Sequence, residues 1–140
     1  MTNREIAFIV RNQEPLVMHM SDTVQAACAA MCSRSVGAVL VTDTHQHLKG
    51  IFTGRDAARV LARGGDAAEV HLRDAMTRNP DTIAPDHKAI DALRAMSDGG
   101  YRHLPVVDGE KVLGIVSRGD FKGLELDRLE EETGLWERIC

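Results

Sequence analysis

The stretch GIFTGRD at residues 50–56 returns as GIVSRGD at residues 114–120, each time after an apolar run. Both copies read Gly-Ile-apolar-(Thr/Ser)-x-x-Asp. A hydroxyl residue followed three positions later by a carboxylate has the spacing of a capping box, in which both side chains bond main-chain amides at a helix start. The motif therefore predicts two helix starts, and its duplication predicts an internal repeat.

The repeat extends over most of the chain. Pro15 and Pro80 are 65 positions apart, as are Asp43 and Asp108. The two heptapeptides are 64 positions apart, because the turn DTHQHLKG is one residue longer than its counterpart DGEKVLG. Apolar periodicity and turn residues predict the order strand, helix, strand, strand, helix in each copy, over about 60 residues.

One such copy is too small to bury its apolar faces well, so two copies are expected to share a core. The predicted fold is mixed, α+β or α/β, with two β-α-β-β-α modules packed about a pseudo-twofold axis. Each module is expected to contain a three-stranded sheet. The predicted boundaries are residues 1–66 for the first module with the N-terminal segment, 67–124 for the second module with its connector, and 125–140 for a helical tail.

Composition excludes several classes of protein. The formal net charge of the 140 residues is −4 and no block of Lys and Arg stands out, which argues against a nucleic-acid partner. No apolar stretch approaches the roughly 18 residues of a membrane helix, and the first ten residues do not resemble a signal peptide. We therefore expect a cytoplasmic protein without a membrane segment. Three cysteines, an odd number, argue against a disulfide framework.

The heptapeptide also suits an anionic ligand. Gly50 and Gly114 lack a side chain that would keep another group away from the main chain. Free amides at the helix start attract a phosphate, and the carboxylates of Asp56 and Asp120 accept hydrogen bonds from adjacent hydroxyls. Vicinal hydroxyls beside a phosphate describe a ribonucleotide. The residues alone leave open whether the motif binds such a ligand or only caps a helix.

The duplicated plan, the two heptapeptides and YRHLPVVDG at residues 101–109 together resemble a tandem pair of CBS domains, named after cystathionine β-synthase. The resemblance covers about residues 6–124. It implies a regulatory module of the Bateman type, which binds adenosyl ligands such as AMP, ADP, ATP or S-adenosylmethionine in clefts between the two modules. It also implies a disc-like homodimer.

The resemblance further implies roles for particular residues. Asp56 and Asp120 would hold ribose hydroxyls, and the hydroxyl residues of the heptapeptides would lie at the phosphate end. The candidate ligand-binding residues are Thr53, Asp56, Thr82, Ile83, Arg102, His103, Ser117, Arg118 and Asp120. Of these, Arg102 and His103 occupy the place of basic phosphate ligands, and Thr82 and Ile83 lie on the first strand of the second copy, near the base.

The two copies are not equivalent. Where the second copy has Arg102 and His103, the first has Gly37 and Ala38, so its site lacks the basic pair. We therefore expect unequal affinities for the two sites. Arg102 also admits a simpler interpretation as a solvated cation at the edge of a strand.

No catalytic constellation is present. Ser117 is not in a Gly-x-Ser-x-Gly elbow, and the chain has neither a P-loop nor a dinucleotide-binding fingerprint. Asp56 and Asp120 belong to different copies and do not form a carboxylate pair for acid–base chemistry. The sequence therefore predicts a protein that is not an enzyme.

The sequence favours a regulatory sensor of adenosine nucleotides, AMP, ADP or ATP ahead of S-adenosylmethionine, with no obligatory cofactor and a regulated partner that the sequence does not identify. The alternative is a constitutive dimeric interaction scaffold with vestigial clefts, in which the heptapeptides only cap helices. A third hypothesis is a metal or redox sensor built on Cys28 and Cys32, which are four apart on a predicted helix. Against a metal site, small side chains among alanines are typical of tight helix packing. The tail, with Trp136, is expected to pack on its own dimer.

Overall fold

A computed structural model describes residues 3–121 of the chain. Its helices are α1 (Ile6–Val10), α2 (Val24–Arg34), α3 (Gly54–Ala62), α4 (Leu72–Ala75) and α5 (Ala89–Gly99). Its strands are β1 (Val17–His19), β2 (Ala38–Thr42), β3 (Leu48–Thr53), β4 (Thr77–Arg78), β5 (His103–Asp108) and β6 (Lys111–Ser117), followed by a 3₁₀ turn at Arg118–Asp120. The predicted helical tail at residues 125–140 lies outside the described residues.

The chain divides into two compact units. The first-copy unit comprises Glu14–Asp81 and Gly109–Val112, and the second-copy unit contains the described residues 3–13, 82–108 and 113–121. The repeat predicted a different division, with the N-terminal segment in the first module and the connector in the second. The pseudo-twofold packing of the modules stays a prediction.

Each segment that precedes a copy is held in the unit of the other copy. The N-terminal segment joins the second-copy unit, where the amide of Ile6 donates to His87 O at 2.9 Å. The connector between the two copies, residues 64–79, joins the first-copy unit, where the amide of Leu72 donates to Asp22 O at 2.8 Å. Ile6 and Leu72 are fully buried, so the physical reason for this exchange is that each segment buries the apolar side of a short helix.

The first-copy unit contains a four-stranded sheet in the order β1-β2-β3-β4. β1 runs parallel to β2 through the crossover helix α2, whereas β3 runs antiparallel to both β2 and β4. All five residues of β2, AVLVT, are buried, as expected of an apolar strand covered on both faces. The core comprises Val24, Ala27, Met31, Val39, Val41, Phe52, Val60 and Leu72.

The second-copy unit contains the two-stranded sheet β5-β6. Ile83 forms an isolated parallel bridge with Val106, and its main chain bonds Pro105 O and the amide of Val107, both at 3.0 Å. Helix α5 ends with Gly100 in the left-handed region, at a φ of 70°. The core comprises Ile6, Val10, Ile83, Ala89, Ile90, Ala92, Leu93, Met96, Leu104, Val106, Val116 and Phe121.

The sheets differ from the expected pair of three-stranded sheets. The first-copy sheet has a fourth strand because the connector residues Thr77 and Arg78 pair with Ile51 and Gly50 of β3. The first strand of the second copy is reduced to the bridge at Ile83. Pro85 follows two residues later and has no amide hydrogen to continue a ladder, which accounts for its shortness.

Helix α3 begins at Gly54, with Thr53 as its N-cap, so Asp56 is the third residue of the helix. The predicted final helix of the second copy is described only as far as the 3₁₀ turn. Within residues 3–121, every helix is too short or too polar to cross a membrane.

Candidate functional site

The second-copy heptapeptide ends β6 and enters the 3₁₀ turn. The amide of Ser117 donates to Asp120 Oδ2 at 2.7 Å, and the hydroxyl of Ser117 donates to the same oxygen at 3.3 Å. Asp120 is half-buried, and within residues 3–121 its other oxygen, Oδ1, has no hydrogen bond. The predicted capping box is confirmed here, and it leaves one carboxylate oxygen available.

The first-copy carboxylate is fully occupied. Asp56 Oδ2 accepts from the amide of Thr53 at 2.9 Å and from its hydroxyl at 3.2 Å. Asp56 Oδ1 accepts from the hydroxyl of Thr77 and from Arg59 Nη1, both at 3.1 Å. A carboxylate has about four lone-pair positions, so these donors use them all. Asp56 is also buried, with only 2% of its surface exposed.

The carboxylates of Asp56 and Asp120 therefore share one role and differ in their other contacts. Both cap the start of a helical turn, as the sequence predicted. Asp56 also connects α3 to β4 through Thr77, a contact that has no counterpart at Asp120 among the described residues. Counting the hydrogen bonds within residues 3–121, Asp120 has one carboxylate oxygen that could accept from a ligand hydroxyl, and Asp56 has none.

Basic side chains lie at the same end of the second-copy sheet. Arg102 directly precedes β5, and its carbonyl accepts from the amide of Arg118 at 3.2 Å, which joins the start of β5 to the turn after β6. Arg102 is exposed, and Arg118 is half-buried. The structure thus brings five of the candidate residues, Arg102, His103, Ser117, Arg118 and Asp120, to one end of one sheet.

His103 is half-buried at the start of β5. Burial lowers the pKa of its imidazole, the charge of Arg102 lowers it further, and the charge of Asp120 raises it. The net effect is a pKa below the ordinary value, so the imidazole is neutral at pH 7. A neutral imidazole has one donor and one acceptor nitrogen, and it becomes a cation when the pH falls.

The remaining second-copy candidates differ in exposure. Thr82 is exposed, whereas Ile83 is 7% exposed and its side chain belongs to the core. Since the main chain of Ile83 is already bonded to β5, this residue has a structural role. The predicted location of the base near Thr82 and Ile83 stays a prediction.

Gly50 and Gly114 do not leave room for a ligand, contrary to what the sequence had suggested. Another group does approach the main chain at each of them, but that group belongs to the chain itself. A Cβ added at Gly50 would lie 2.5 Å from Met76 Sδ and 2.8 Å from Thr77 O. At Gly114 it would lie 2.9 Å from Val10 Cβ and 2.7 Å from an oxygen of the Gln13 side chain. The glycines therefore admit the N-terminal segment and the connector, not a ligand.

Sequence reasoning missed three residues around these motifs. Thr77 bonds Asp56, Gln13 bonds the main chain of Ile115, and Arg4 Nη2 donates to Asp120 O at 2.9 Å. Gln13 and Thr77 lie shortly before the repeated prolines of the two copies, so a comparison of the segments that precede the copies was the available signal.

The cysteines of α2 are free thiols. Cys28 is half-buried and Cys32 is exposed. Burial raises the pKa of the Cys28 thiol, and the neighbouring Cys32 raises it further. In the part of the chain that the structure describes, no three His, Cys, Asp or Glu side chains are grouped to hold a metal ion.

Comparisons with known proteins agree with this architecture. A sequence model of the CBS domain matches residues 72–126. The CBS domain-containing protein CBSCBSPB2 of Arabidopsis thaliana is 40% identical over 108 residues, which cover 76% of this chain and 20% of that protein. The chain thus spans about a fifth of the length of this curated relative.

Solved structures share the fold over nearly their whole length. A signal-transduction protein with CBS domains from Burkholderia ambifaria MC40-6 is 29% identical, with a TM-score of 0.76, over 83% of this chain and 89% of that one. The CBS domain pair of protein MJ0100, solved with 5′-methylthioadenosine and S-adenosyl-L-methionine, is 26% identical, with a TM-score of 0.76, over 89% of this chain and 98% of that one. The chain belongs to the CBS domain family, and its fold is that of a CBS-domain pair.

Proposed function

We propose that this chain is a regulatory module that binds an adenosine-containing ligand at the second-copy unit. Asp120 accepts a hydrogen bond from a ribose hydroxyl through Oδ1, and Ser117 lies beside it. Arg102 and Arg118 supply the positive charge of the site, and the neutral imidazole of His103 supplies one hydrogen-bond donor and one acceptor. The observation that carries this proposal is Oδ1 of Asp120, which has no hydrogen bond within residues 3–121 and lies near His103 and Arg102 at one end of the sheet.

The chemistry of this cluster suits a sugar beside a negative charge. A hydrogen bond to a charged carboxylate contributes about 1.5–3 kcal/mol, and a vicinal diol provides two donors for it. The exposed guanidinium of Arg102 has no carboxylate partner among the described residues and suits a phosphate. Sugar and phosphate are neighbours in a nucleotide.

The charge of the cluster favours AMP, ADP or ATP over S-adenosylmethionine, which carries a positive sulfonium. MJ0100 was solved with a sulfonium ligand and a neutral one, and both contain adenosine. The adenosine moiety is therefore what the comparison supports, and the phosphate preference rests on Arg102 and Arg118.

We propose that the protein works as a cytoplasmic homodimer and has no chemistry of its own. A ligand that binds one arrangement of the dimer or of a partner better than another shifts the equilibrium by its difference in affinity, typically 1–3 kcal/mol. That range corresponds to about 5–150-fold in partner affinity. Light scattering on the purified chain measures its molar mass in solution and so tests whether it is a dimer.

The test is a thermal-shift and calorimetric titration with AMP, ADP, ATP, S-adenosylmethionine, 5′-methylthioadenosine and NAD. A ligand at 100 times its dissociation constant should add about 2.7 kcal/mol to the free energy of unfolding. Asp120→Asn keeps an acceptor for the Ser117 amide but replaces the free oxygen with a donor, so affinity should fall at least tenfold. Asp108→Asn, at an exposed position, makes the same change of charge and should bind like the parent.

If Asp120→Asn binds as tightly as the parent, the ribose assignment is wrong. If none of the six compounds binds, the proposed function fails as a whole.

The second candidate function is a constitutive dimeric scaffold. One observation favours it: the carboxylate of Asp56 is fully used within its own unit, as a helix cap and a contact to the connector. A dimer whose partner affinity is unchanged by all six compounds is the result that supports this alternative.

A further inference from the structure

We infer that hydrogen bonds from Thr77 and Arg59 keep the carboxylate of Asp56 from binding a ligand. The chain then takes up one adenosine-containing ligand, at Asp120. This inference rests on the proposed function and adds the residues that decide which copy binds.

The closure is made by hydrogen bonds to Asp56 Oδ1. The hydroxyl of Thr77 and Nη1 of Arg59 both donate to this oxygen at 3.1 Å, while Thr53 occupies Oδ2. A ribose hydroxyl must donate to a carboxylate oxygen to be held there. At Asp56 it would first have to displace Thr77 or Arg59, at the cost of a hydrogen bond to a buried charge.

Thr77 is held in place by the connector. Arg78 pairs with Gly50 in the β3–β4 ladder, and the amide of Asn79 donates to Lys49 O at 3.2 Å. Met76 lies against Gly50, where even a Cβ would not fit. These contacts on both sides hold the main chain of β4 at a place from which the hydroxyl of Thr77 reaches Asp56 Oδ1 at 3.1 Å.

The corresponding contacts around Gly114 and Asp120 in the second copy are different. Val10 and Gln13 lie beside Gly114 as Met76 and Thr77 lie beside Gly50. Gln13, however, uses its amide on the main chain of Ile115 and does not reach the Asp120 side chain. Arg4 bonds the main-chain oxygen of Asp120, and no hydrogen bond from residues 3–121 reaches Oδ1 of its side chain.

The experiment compares binding stoichiometry in matched variants, measured by calorimetry with AMP, ATP and S-adenosylmethionine as probes. The parent should bind one ligand per chain, and Asp120→Asn should bind that ligand at least tenfold more weakly. Thr77→Val combined with Arg59→Ala removes both donors and should bind two. Thr77→Ser combined with Arg59→Lys keeps both donors and should bind one.

Adding Asp56→Asn to the opened variant should return it to one ligand. The inference is overturned if the parent binds two ligands and loses one with Asp56→Asn alone. It is also overturned if the folded Thr77→Val, Arg59→Ala variant still binds one. The single variant Thr77→Val, which changes no charge, serves if the double variant does not fold, and it should show a weaker second site.

A measurement without ligand separates this inference from the proposed function. If no probe binds the parent, the proposed function has failed, and the closure is judged by hydrogen exchange. Thr77→Val should speed exchange of the Asn79 amide several-fold relative to Thr77→Ser, since the connector loses its bond to Asp56. Equal exchange in the two variants shows that Thr77 does not hold the connector.

Discussion

Gln13 pairs with Ile115 as a neighbouring strand would: its side-chain nitrogen donates to Ile115 O at 2.8 Å, and its side-chain oxygen accepts from Ile115 N at 2.5 Å. One side chain thus satisfies both main-chain groups of Ile115 on β6. In the first-copy unit, β4 pairs at the corresponding place on β3, where Thr77 lies opposite Ile51.

Gln13→Ala should destabilise the protein by about 1–3 kcal/mol, because it leaves two main-chain groups of Ile115 without their partner. Urea unfolding followed by circular dichroism measures the loss. Asn12→Ala, at the exposed position next to it, is the matched control and should change stability by less than about 0.5 kcal/mol. Equal losses in the two variants would contradict the role assigned to Gln13.

Gly50→Ala and Gly114→Ala should each destabilise the fold by about 1–3 kcal/mol, because the new Cβ overlaps Thr77 O at 2.8 Å in one copy and Val10 Cβ at 2.9 Å in the other. Gly54→Ala is the control, since its Cβ meets nothing within 4 Å, and it should be neutral or stabilising. Thermal unfolding compares the three variants. A neutral Gly50→Ala variant would mean that the connector is not seated on β3 as described.

The imidazole of His103 should make stability depend on pH. Its pKa is lowered in the folded protein, chiefly by burial, so the unfolded chain binds this proton more readily. The contribution of His103 to stability is therefore present above the ordinary histidine pKa of about 6.5 and is lost as the pH falls towards the lower folded-state pKa. Urea unfolding from pH 7.5 down to pH 5, about one unit or more on either side of that value, measures this loss. His103→Gln should reduce it.

The neighbours of His103 provide a second check on its pKa. Asp120→Asn should lower the pKa of His103 further, because the charge of Asp120 raises it, and Arg102→Gln should raise it. Nuclear magnetic resonance titration of the imidazole follows both shifts. A pKa that is unchanged in both variants would show that neither charge faces the ring.

The thiol of Cys28 should react with alkylating reagents more slowly than that of Cys32. Burial raises the pKa of Cys28, which reduces its thiolate fraction, and Cys32 is exposed. Labelling at pH 8 followed by peptide mass analysis gives the two rates. Faster labelling of Cys28 would revive the hypothesis of a redox sensor on α2.

Much of the fold was predictable, because the strands and helix starts of each copy follow from residue patterns within a few positions of one another. The alternating and apolar runs located β2, β3, β5 and β6, and the heptapeptides located both helical turns. Five of the nine candidate ligand-binding residues, Arg102, His103, Ser117, Arg118 and Asp120, lie at one end of the second-copy sheet. Their role in binding stays a prediction.

The places where the sequence misled involve partners distant along the chain. Gly50 and Gly114 were interpreted as leaving room for a ligand, because a glycine in a strand shows that something approaches and does not show what. Asp56 and Asp120 share the same local pattern, and the difference between them comes from Arg59, three residues beyond Asp56, and from Thr77, 21 residues beyond it.

The sequence by itself determined the duplicated plan, the helix caps and the position of the basic pair in the second copy, since each depends on residues within a few positions of one another. Only the tertiary structure decided that the N-terminal segment and the connector exchange units. It also decided that both oxygens of Asp56 are hydrogen-bonded, whereas Oδ1 of Asp120 has no hydrogen bond within residues 3–121. The physical reason is that burial and hydrogen-bond saturation depend on which segments meet in space. Local spacing does not contain that information.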